Sequence, residues 1–242
     1  MSTSSHIITV SDIPVEIIRK DIKNIHLGVY PPEGNVRISV PGHIADDSVR
    51  LVIVSRLSWI KKRQGEFKKQ PRQTKREYVS GESHYYQGRR YLLEVEEKQG
   101  RHSLMLKNSS KMLLQVSPGT TRENRARVVN DWYRQQLKNA IPKLLEKWQP
   151  AIGKEAKTWG VKKMKTKWGS CNIRDARIWI NLELAKKSPE CLEYILVHEL
   201  IHLHERHHND NFRHLMNKYL PKWKQARDVL KSEPLSHEDW VY

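Results

Sequence analysis

Short apolar runs separated by turn residues fill the first half of the chain. In these runs apolar and polar residues alternate, or β-branched residues follow one another, and both patterns are typical of β-strands. The runs at residues 25–30 and 36–40 flank Pro31-Pro32-Glu33-Gly34-Asn35, which predicts a hairpin. The predicted strands of this half are residues 7–10, 15–18, 25–30, 36–40, 77–79, 90–96, 102–106 and 112–116.

Helical spacing of apolar residues interrupts and follows these strands. A helix capped at Asp46 is predicted to run into a basic stretch that ends at Pro71. A longer helix begins at Thr120 or Thr121 and should kink at Pro142. Three further strands, at residues 160–164, 168–171 and 177–181, precede another apolar helix. No internal repeat or low-complexity segment is apparent.

This last apolar helix, which begins at Pro189 after Ser188, carries the motif His198-Glu199-Leu200-Ile201-His202. Residues four apart share one face of a helix, so both imidazoles can reach a single ion with Glu199 beside it. A catalytic zinc site uses three protein ligands and keeps its fourth position for water. With His208 as the third ligand, the motif predicts one catalytic Zn²⁺ per chain.

The spacing leaves some choice for the third ligand. Three other histidines lie nearby, namely His204, His207 and His214. His204 is two residues from His202 and would point to another face of a continuing helix. Because Asn209 looks like the start of the next helix, His208 lies in a turn from which it can swing back towards the first two ligands. We favour His208, and His207 stays an alternative that requires a different turn.

Charge adds a second candidate feature. The formal net charge is +17, and residues 1–150 hold 27 Lys and Arg against 15 Asp and Glu. The densest stretch runs from Lys61 to Arg76, with eight basic residues and Glu66 as its sole acid. Such a stretch could bind nucleic acid through phosphates. The alternative is a solvated helix end that keeps the protein soluble.

Composition excludes several classes of protein. The chain has 38% hydrophobic residues, enough for a core, but no apolar run of membrane-spanning length and no stretch that resembles a secretion signal. Its two cysteines, Cys171 and Cys191, are too few for a disulfide framework. We therefore expect a cytoplasmic protein that does not enter a membrane.

Three segments of the sequence resemble the YgjP-like zinc metallopeptidases, which are relatives of the SprT-like and Wss-like domains. These segments are Trp59-Ile60-Lys61-Lys62, Trp168-Gly169-Ser170-Cys171, and the histidine motif with His208 and Phe212. The likeness spans most of residues 20 to 225. The chain departs from it by His207 and Asn209 around His208, where Asn-His-Ser is usual, and by Arg213, where an aromatic residue is common.

The resemblance implies an α+β fold: a minimal zincin-like metallopeptidase domain with an amino-terminal β-rich accessory region and long helices. We place the accessory region, with its one long basic helix, at residues 1–119. The catalytic region, at 120–242, would contain the long helix, a small sheet, the active-site helix and the C-terminal helices. Trp168 would fill core, and Cys171 would be a buried small side chain, with a regulatory sulfur ligand as the alternative.

The primary hypothesis is zinc-dependent hydrolysis of peptide bonds, with Glu199 as the general base for a metal-activated water. The substrate would be a protein or peptide that pairs with a strand such as residues 177–181. No donor for the oxyanion can be assigned; the candidates are His207, His214 and Tyr219. Two alternatives stay open: a nucleic-acid-associated module with a structural or weakly active zinc site, and a zinc amidase that acts on a non-protein substrate.

Overall fold

A computed structural model of the chain describes residues 4–30, 33–69, 76–164 and 167–232. The fold is α+β, as predicted. The described residues up to 69 form one compact unit, and those from 76 onward form another. The predicted boundary at 119/120 falls inside the second unit, because the strands between residues 83 and 116 share their buried cluster with the long helix and with the motif helix.

The first unit contains a four-stranded sheet and two helices. The strands are β1 (Ser4–Val10), β2 (Ile13–Lys20), β3 (His26–Tyr30) and β4 (Asn35–Pro41), and the helices are α1 (Asp46–Ser55) and α2 (Leu57–Lys69). The strand order is β1-β2-β4-β3: β1–β2 and β3–β4 are antiparallel hairpins, and β2 is parallel to β4. The predicted antiparallel pairing of the runs at 25–30 and 36–40 is thus confirmed, while Pro31 and Pro32 of its turn lie outside the described residues. The predicted single helix is divided at Arg56, and its cap position is Ala45 rather than Asp46.

The second unit begins with another four-stranded sheet and a long helix. These are β5 (Ser83–Tyr86), β6 (Arg89–Glu97), β7 (Ser103–Leu106), β8 (Lys111–Val116) and α3 (Arg122–Ile152). The strand order is β5-β6-β8-β7. The strand predicted at 77–79 is wrong, because Tyr78 has a φ of 55° and cannot continue an extended chain. The helix start at Thr121 is confirmed, since its side chain accepts a hydrogen bond from the backbone N–H of Asn124.

A small sheet and three helices complete the second unit. The strands are β9 (Thr158–Lys162), β10 (Gly169–Asn172) and β11 (Arg177–Asn181); a 3₁₀ helix (Leu182–Lys186) and the helices α4 (Pro189–Ile201), α5 (Asp210–Tyr219) and α6 (Trp223–Ser232) follow. The strand order is β10-β11-β9, so β11 is central. No helix within the described ranges has both the length and the apolar character needed to cross a bilayer.

The two units repeat one pattern of strands and helices that the sequence analysis did not detect. β2, β4 and α1 begin at residues 13, 35 and 46, and β6, β8 and α3 begin 76 residues later, at 89, 111 and 122. The two-residue turns also match, because Ser11 and Asp12 in one, and Gln87 and Gly88 in the other, all have positive φ. What repeats is mainly the apolar pattern, since only one of the five buried pairs below shares its residue type. Buried pairs at this spacing are Val15 and Tyr91, Ile17 and Leu93, Ile38 and Leu114, Val40 and Val116, and Ile53 and Val129.

The predicted nucleic-acid region is only partly described. Helix α2 carries Lys61, Lys62 and Arg63, and Arg63 pairs with Glu66 at 2.8 Å. The rest of the stretch includes residues 70–75, which lie outside the described residues. Nucleic-acid binding by this region stays a prediction.

Candidate metal centre

Helix α4 is apolar on almost every side. Pro189 occupies its first turn, where a missing N–H is tolerated, while Ser188 precedes it without a capping hydrogen bond from its side chain. Leu196 and Leu200 are fully buried, and the helix packs against α3, α5, α6, β10 and β11. A helix enclosed in this way is fixed by its surroundings. The polar side chains that it carries are therefore held in place.

Three imidazole nitrogens converge at the end of this helix. The Nε2 atoms of His198 and His202 lie 3.2 Å apart, those of His198 and His208 lie 3.0 Å apart, and those of His202 and His208 lie 3.1 Å apart. Three ring nitrogens that face one another in a nearly equilateral triangle could hold a metal ion. His207 is exposed and does not belong to this triangle.

The dimensions and chemistry of the triangle fit zinc. Zn²⁺ binds histidine nitrogen at about 2.0–2.1 Å, and in tetrahedral geometry this spaces ligand nitrogens about 3.3 Å apart. The three imidazoles leave the fourth tetrahedral position without a protein ligand. Among the described residues, no fourth histidine, cysteine or carboxylate joins the group. The donor set therefore has the composition of a catalytic site rather than of a closed structural site.

Protonation of the histidines also suits metal binding, because a ligand imidazole must be neutral. Burial, with the neighbouring His202 and His208 adding to it, lowers the pKa of His198 to about 3. Burial likewise lowers the pKa of His202. The Nδ1 atom of His202 donates to the backbone carbonyl of Glu205 at 3.0 Å, which leaves Nε2 free to bind an ion. Both side chains are thus held in the form that binds a cation.

Phe212 supports all three imidazoles from α5. Its buried ring has centroid distances of 4.9 Å to His198, 4.8 Å to His202 and 4.7 Å to His208. The side chain of Asn209 caps α5 by accepting a hydrogen bond from the Phe212 backbone N–H at 2.9 Å. The guanidinium of Arg213 donates to the backbone carbonyl of His208 at 3.2 Å. The turn that carries the third histidine is therefore tied to the helix that follows it.

Glu199 lies beside the triangle and is 5% exposed. Burial raises the pKa of its carboxyl group to about 8, and the ammonium group of Lys167 opposes that rise. Gly169 in β10 makes room for this carboxylate. A Cβ atom at residue 169 would lie 2.5 Å from Oε1 of Glu199 and 2.8 Å from Cγ2 of Ile195, closer than real contacts allow. Glycine is thus required here by the position of the carboxylate.

The three histidines and Glu199 line a cavity of about 1050 Å³. One wall is the segment of residues 167–174, which contains β10, and the other is the end of α4 with the turn after it. The cavity is large enough for several residues of an extended peptide.

A model of the protein family described as "YgjP-like, metallopeptidase domain" matches residues 23–233. The chain belongs to this YgjP-like family. Among solved structures, the chain is similar to the "Crystal structure of the metallopeptidase zymogen of Pyrococcus abyssi abylysin", with 20% identity over 39% of this chain and 98% of that chain and a TM-score of 0.36. A comparison with the curated proteins found no match.

The YgjP-like domain presents a different strand to the cavity from the one that we predicted to bind substrate. The strand at residues 177–181 is β11, which is paired on both sides, with β10 and with β9. Its backbone groups are therefore engaged, and it cannot add a peptide. The edge strand at the cavity is β10, whose residues from Gly169 to Asn172 all line it. Strand order depends on pairing between distant segments, which short runs of sequence do not reveal.

Cys171 lies in β10 and also lines the cavity. Burial, with the charge of Glu199 adding to it, raises the pKa of its thiol to about 11. The thiol therefore stays protonated at neutral pH, and its sulfur is not part of the triangle. The regulatory-ligand alternative for Cys171 gains no support, and the side chain is only half-buried rather than buried as predicted, because it faces the cavity.

Tyr194 is a cavity residue that the sequence analysis missed. Its ring packs edge-to-face on His198, with centroids 5.8 Å apart, and stacks on Trp223 at 5.9 Å. Burial is the main cause that raises the pKa of its hydroxyl to about 12, so this group stays a hydrogen-bond donor. The three residues named earlier as oxyanion donors, His207, His214 and Tyr219, are not among the described residues that line the cavity. The spacing of Tyr194, four residues before His198, is the signal that could have identified it.

Proposed function

We propose that this YgjP-like domain is a zinc metallopeptidase that binds one Zn²⁺ through His198, His202 and His208. The observation that carries the proposal is the triangle of Nε2 atoms, with edges of 3.0–3.2 Å, next to a buried carboxylate in an open cavity. When bound, zinc would supply Lewis-acid chemistry, by lowering the pKa of a water and polarising a carbonyl group.

The role of general base falls to Glu199. Its carboxyl group has a pKa raised to about 8 by burial, and it lies on the helix position next to His198. That value belongs to the metal-free protein, and a bound cation beside the carboxyl group would lower it. The ionised carboxylate could then take a proton from the attacking water and return it to the leaving amine. The carboxylate is buried and lies close to the backbone of Gly169, on the sheet side of the cavity.

The substrate would bind along β10. The free edge of this strand offers backbone N–H and C=O groups to an extended peptide, and such pairing recognises the main chain with little regard to side chains. Binding at this edge places the peptide in the cavity that contains the triangle and Glu199. A protein or peptide substrate therefore fits the cavity.

The test compares the wild type with Glu199→Gln in a peptide-cleavage assay, after the bound zinc has been measured. The glutamine keeps the size of the side chain but cannot act as a base, so zinc content should stay near one ion per chain while kcat falls by about 10² to 10⁴. A chelator should abolish wild-type activity. Glu190→Gln, an exposed change in the first turn of the same helix, is the matched control and should retain activity. Equal turnover by the Glu199→Gln variant would remove Glu199 as the base; a zinc-loaded wild type that cleaves no peptide would contradict the peptidase.

A further inference from the structure

Positively charged side chains outnumber negatively charged ones in the lining of the cavity. Its described lining contains three cationic side chains, Lys167, Arg174 and Arg206, and a single carboxylate, that of Glu199. The three cations are exposed, whereas Glu199 is buried. A ligand that enters the cavity therefore meets positive charge before it reaches the histidine triangle.

The three cations are available to a ligand. Within the described part of the chain, no carboxylate forms an ion pair with Lys167, Arg174 or Arg206. The acids nearest to them in sequence are already engaged. Asp175 binds the guanidinium of Arg177 and the amide of Asn172. Glu205 accepts hydrogen bonds from the backbone of His207 and from Asn211.

The cations occur on both walls of the cavity. Lys167 precedes β10 and Arg174 lies in the turn after it, so these two stand at the two ends of the proposed substrate strand. Arg206 lies in the turn that joins α4 to α5, two residues before His208. This turn belongs to the other wall of the cavity, not to the wall that contains β10. An extended peptide paired with β10 would pass all three.

The aromatic side chains of the cavity do not favour nucleic acid. Proteins hold single-stranded nucleic acid through cations along its phosphate backbone together with aromatic rings on which successive bases stack. The ammonium of Lys187 lies 5.7 Å over the ring of Trp168, and Tyr194 stacks on Trp223. One face of each of these two large rings is therefore covered by another side chain, which reduces the area left for bases to stack on. Exposed cations beside a free strand edge fit an acidic peptide, which can pair with the strand backbone, better than single-stranded DNA or RNA.

We propose that Lys167, Arg174 and Arg206 make acidic peptide segments, rich in Asp and Glu on either side of the cleaved bond, the preferred substrates of this cavity. This preference rests on the proposed peptidase function. Because the cations are exposed, each contact should contribute about a two- to threefold preference, and the three together about tenfold or more. The preference should shrink in about 1 M NaCl, where the screening length is about 3 Å.

The experiment uses three fluorogenic peptides of equal length with the same residues at the cleaved bond. Their flanks carry Asp and Glu, the neutral Asn and Gln, or Lys. For the zinc-loaded wild type, kcat/KM should be highest for the acidic peptide, by about tenfold over the neutral one at low salt, and lowest for the Lys peptide. Binding of the same labelled peptides to the Glu199→Gln variant, followed by fluorescence anisotropy, should give the same order without turnover.

The decisive variant is the double change Arg174→Glu and Arg206→Glu. Lys167 is left intact because its charge also acts on Glu199. This variant should lose the preference for the acidic peptide or invert it, and its zinc content shows whether it has folded. Lys138→Glu makes the same kind of charge change on an exposed face of α3, outside the cavity, and should retain the wild-type order.

The outcomes separate the two proposals. Equal kcat/KM for the acidic and neutral peptides would overturn the preference while the peptidase stands. A zinc-loaded wild type that cleaves none of the three peptides would overturn both. If a single-stranded oligonucleotide of equal charge displaces the acidic peptide from the Glu199→Gln variant at a lower concentration than the unlabelled peptide does, the cavity is a nucleic-acid site and the acidic-peptide proposal is wrong.

Discussion

The two four-stranded sheets have the same strand order, but different structures pack on them. In the first unit, α1 and α2 cover the sheet, and the buried cluster that includes Val15, Ile38 and Ile53 belongs to that unit. In the second unit, α3 packs on β7 and β8 and also on β9, the 3₁₀ helix and α4. One buried cluster therefore continues from the sheet, at Leu114, to Leu196 of the motif helix.

This difference shows how one arrangement of strands can form either a separate apolar core or part of a larger core. α1 has 10 residues and α3, which begins at the equivalent place, has 31, so only the second helix extends beyond its sheet to a further layer. The buried polar and charged side chains follow the same division. Those of the described residues are His84, Asn181, Glu183, Lys187 and Glu199, all in the second unit. The first unit has a core of apolar residues, whereas the second also holds polar groups in place.

The largest expected effect comes from truncating equivalent core residues in the two sheets. Ile38 and Leu114 occupy matching positions 76 residues apart, and both are 0% exposed. Either change to alanine should lower the free energy of unfolding of its own unit by about 2–5 kcal/mol, because it deletes buried methyl groups and leaves a cavity. Only Leu114→Ala should also weaken zinc binding, since its cluster includes α4.

Thermal unfolding with and without zinc measures this difference. A unit that binds zinc only when folded is stabilised by the ion, by about 2.7 kcal/mol at a zinc concentration of 100 Kd. Zinc should thus raise the Tm of the second unit, which Leu114→Ala lowers. It should not change the Tm of the first unit, which Ile38→Ala lowers. If both variants lose zinc affinity equally, the two cores are not independent.

The next effect concerns a glycine in each unit. Gly169→Ala would place a methyl group 2.5 Å from the carboxylate of Glu199, whereas a Cβ atom at Gly42 in the first unit meets nothing within 4 Å. Displacement of a catalytic group by about 1 Å reduces rate by about 10²-fold. We expect Gly169→Ala to lower kcat by that amount with little change in zinc content, and Gly42→Ala to change neither. Full activity in Gly169→Ala would show that Glu199 need not occupy this position.

The sequence predicted the local parts of the metal centre better than the parts that depend on distant contacts. The spacing of His198 and His202 is a property of one helix, and the cap at Asn209 lies next to His208, so a short segment contains both signals. The closeness of Gly169 to Glu199 and the support of the histidines by Phe212 depend on how α4 meets β10 and α5. Such contacts join segments that no local pattern connects.

The fold followed the same rule. Most strands and helices were predicted, because apolar periodicity is local, but periodicity did not predict β5, since its sequence Ser83-His84-Tyr85-Tyr86 is short and mostly polar or aromatic. The repeat of the two sheets was missed because Ile38 and Leu114, or Ile53 and Val129, share burial without sharing identity. The strand order that makes β11 central and β10 an edge is decided by parallel pairing of β9 with β11.

The smallest expected effect is a pH dependence confined to the second unit, in the metal-free protein. Burial raises the pKa of Glu199 from 4.5 to about 8 in the folded state. Its stabilising contribution is present below the unfolded value and is lost as pH rises through the folded one, because deprotonation favours the unfolded chain. Burial lowers the pKa of both His198 and His202, so these groups act in the opposite direction, because the unfolded chain takes up protons on them around pH 6.5. Their effect is smaller than that of Glu199 and fades above about pH 7.5. Between about pH 6.5 and 8 we expect the wild type to lose about 1–2 kcal/mol of the free energy of unfolding of the second unit.

Denaturant titrations in a chelating buffer at several values between pH 6.5 and 8 measure this loss. Glu199→Gln removes the group whose deprotonation favours unfolding, so the second unit should no longer lose stability as pH rises over that range. The first unit has no buried carboxylate among its described residues, and its transition should be flat in both proteins. If the wild type and Glu199→Gln change in parallel, the pH dependence arises elsewhere and Glu199 is not held protonated by burial in the metal-free state. If the free energy of unfolding of the first unit also changes with pH, its core is not purely apolar in effect. The proposed difference between the two units would then be wrong.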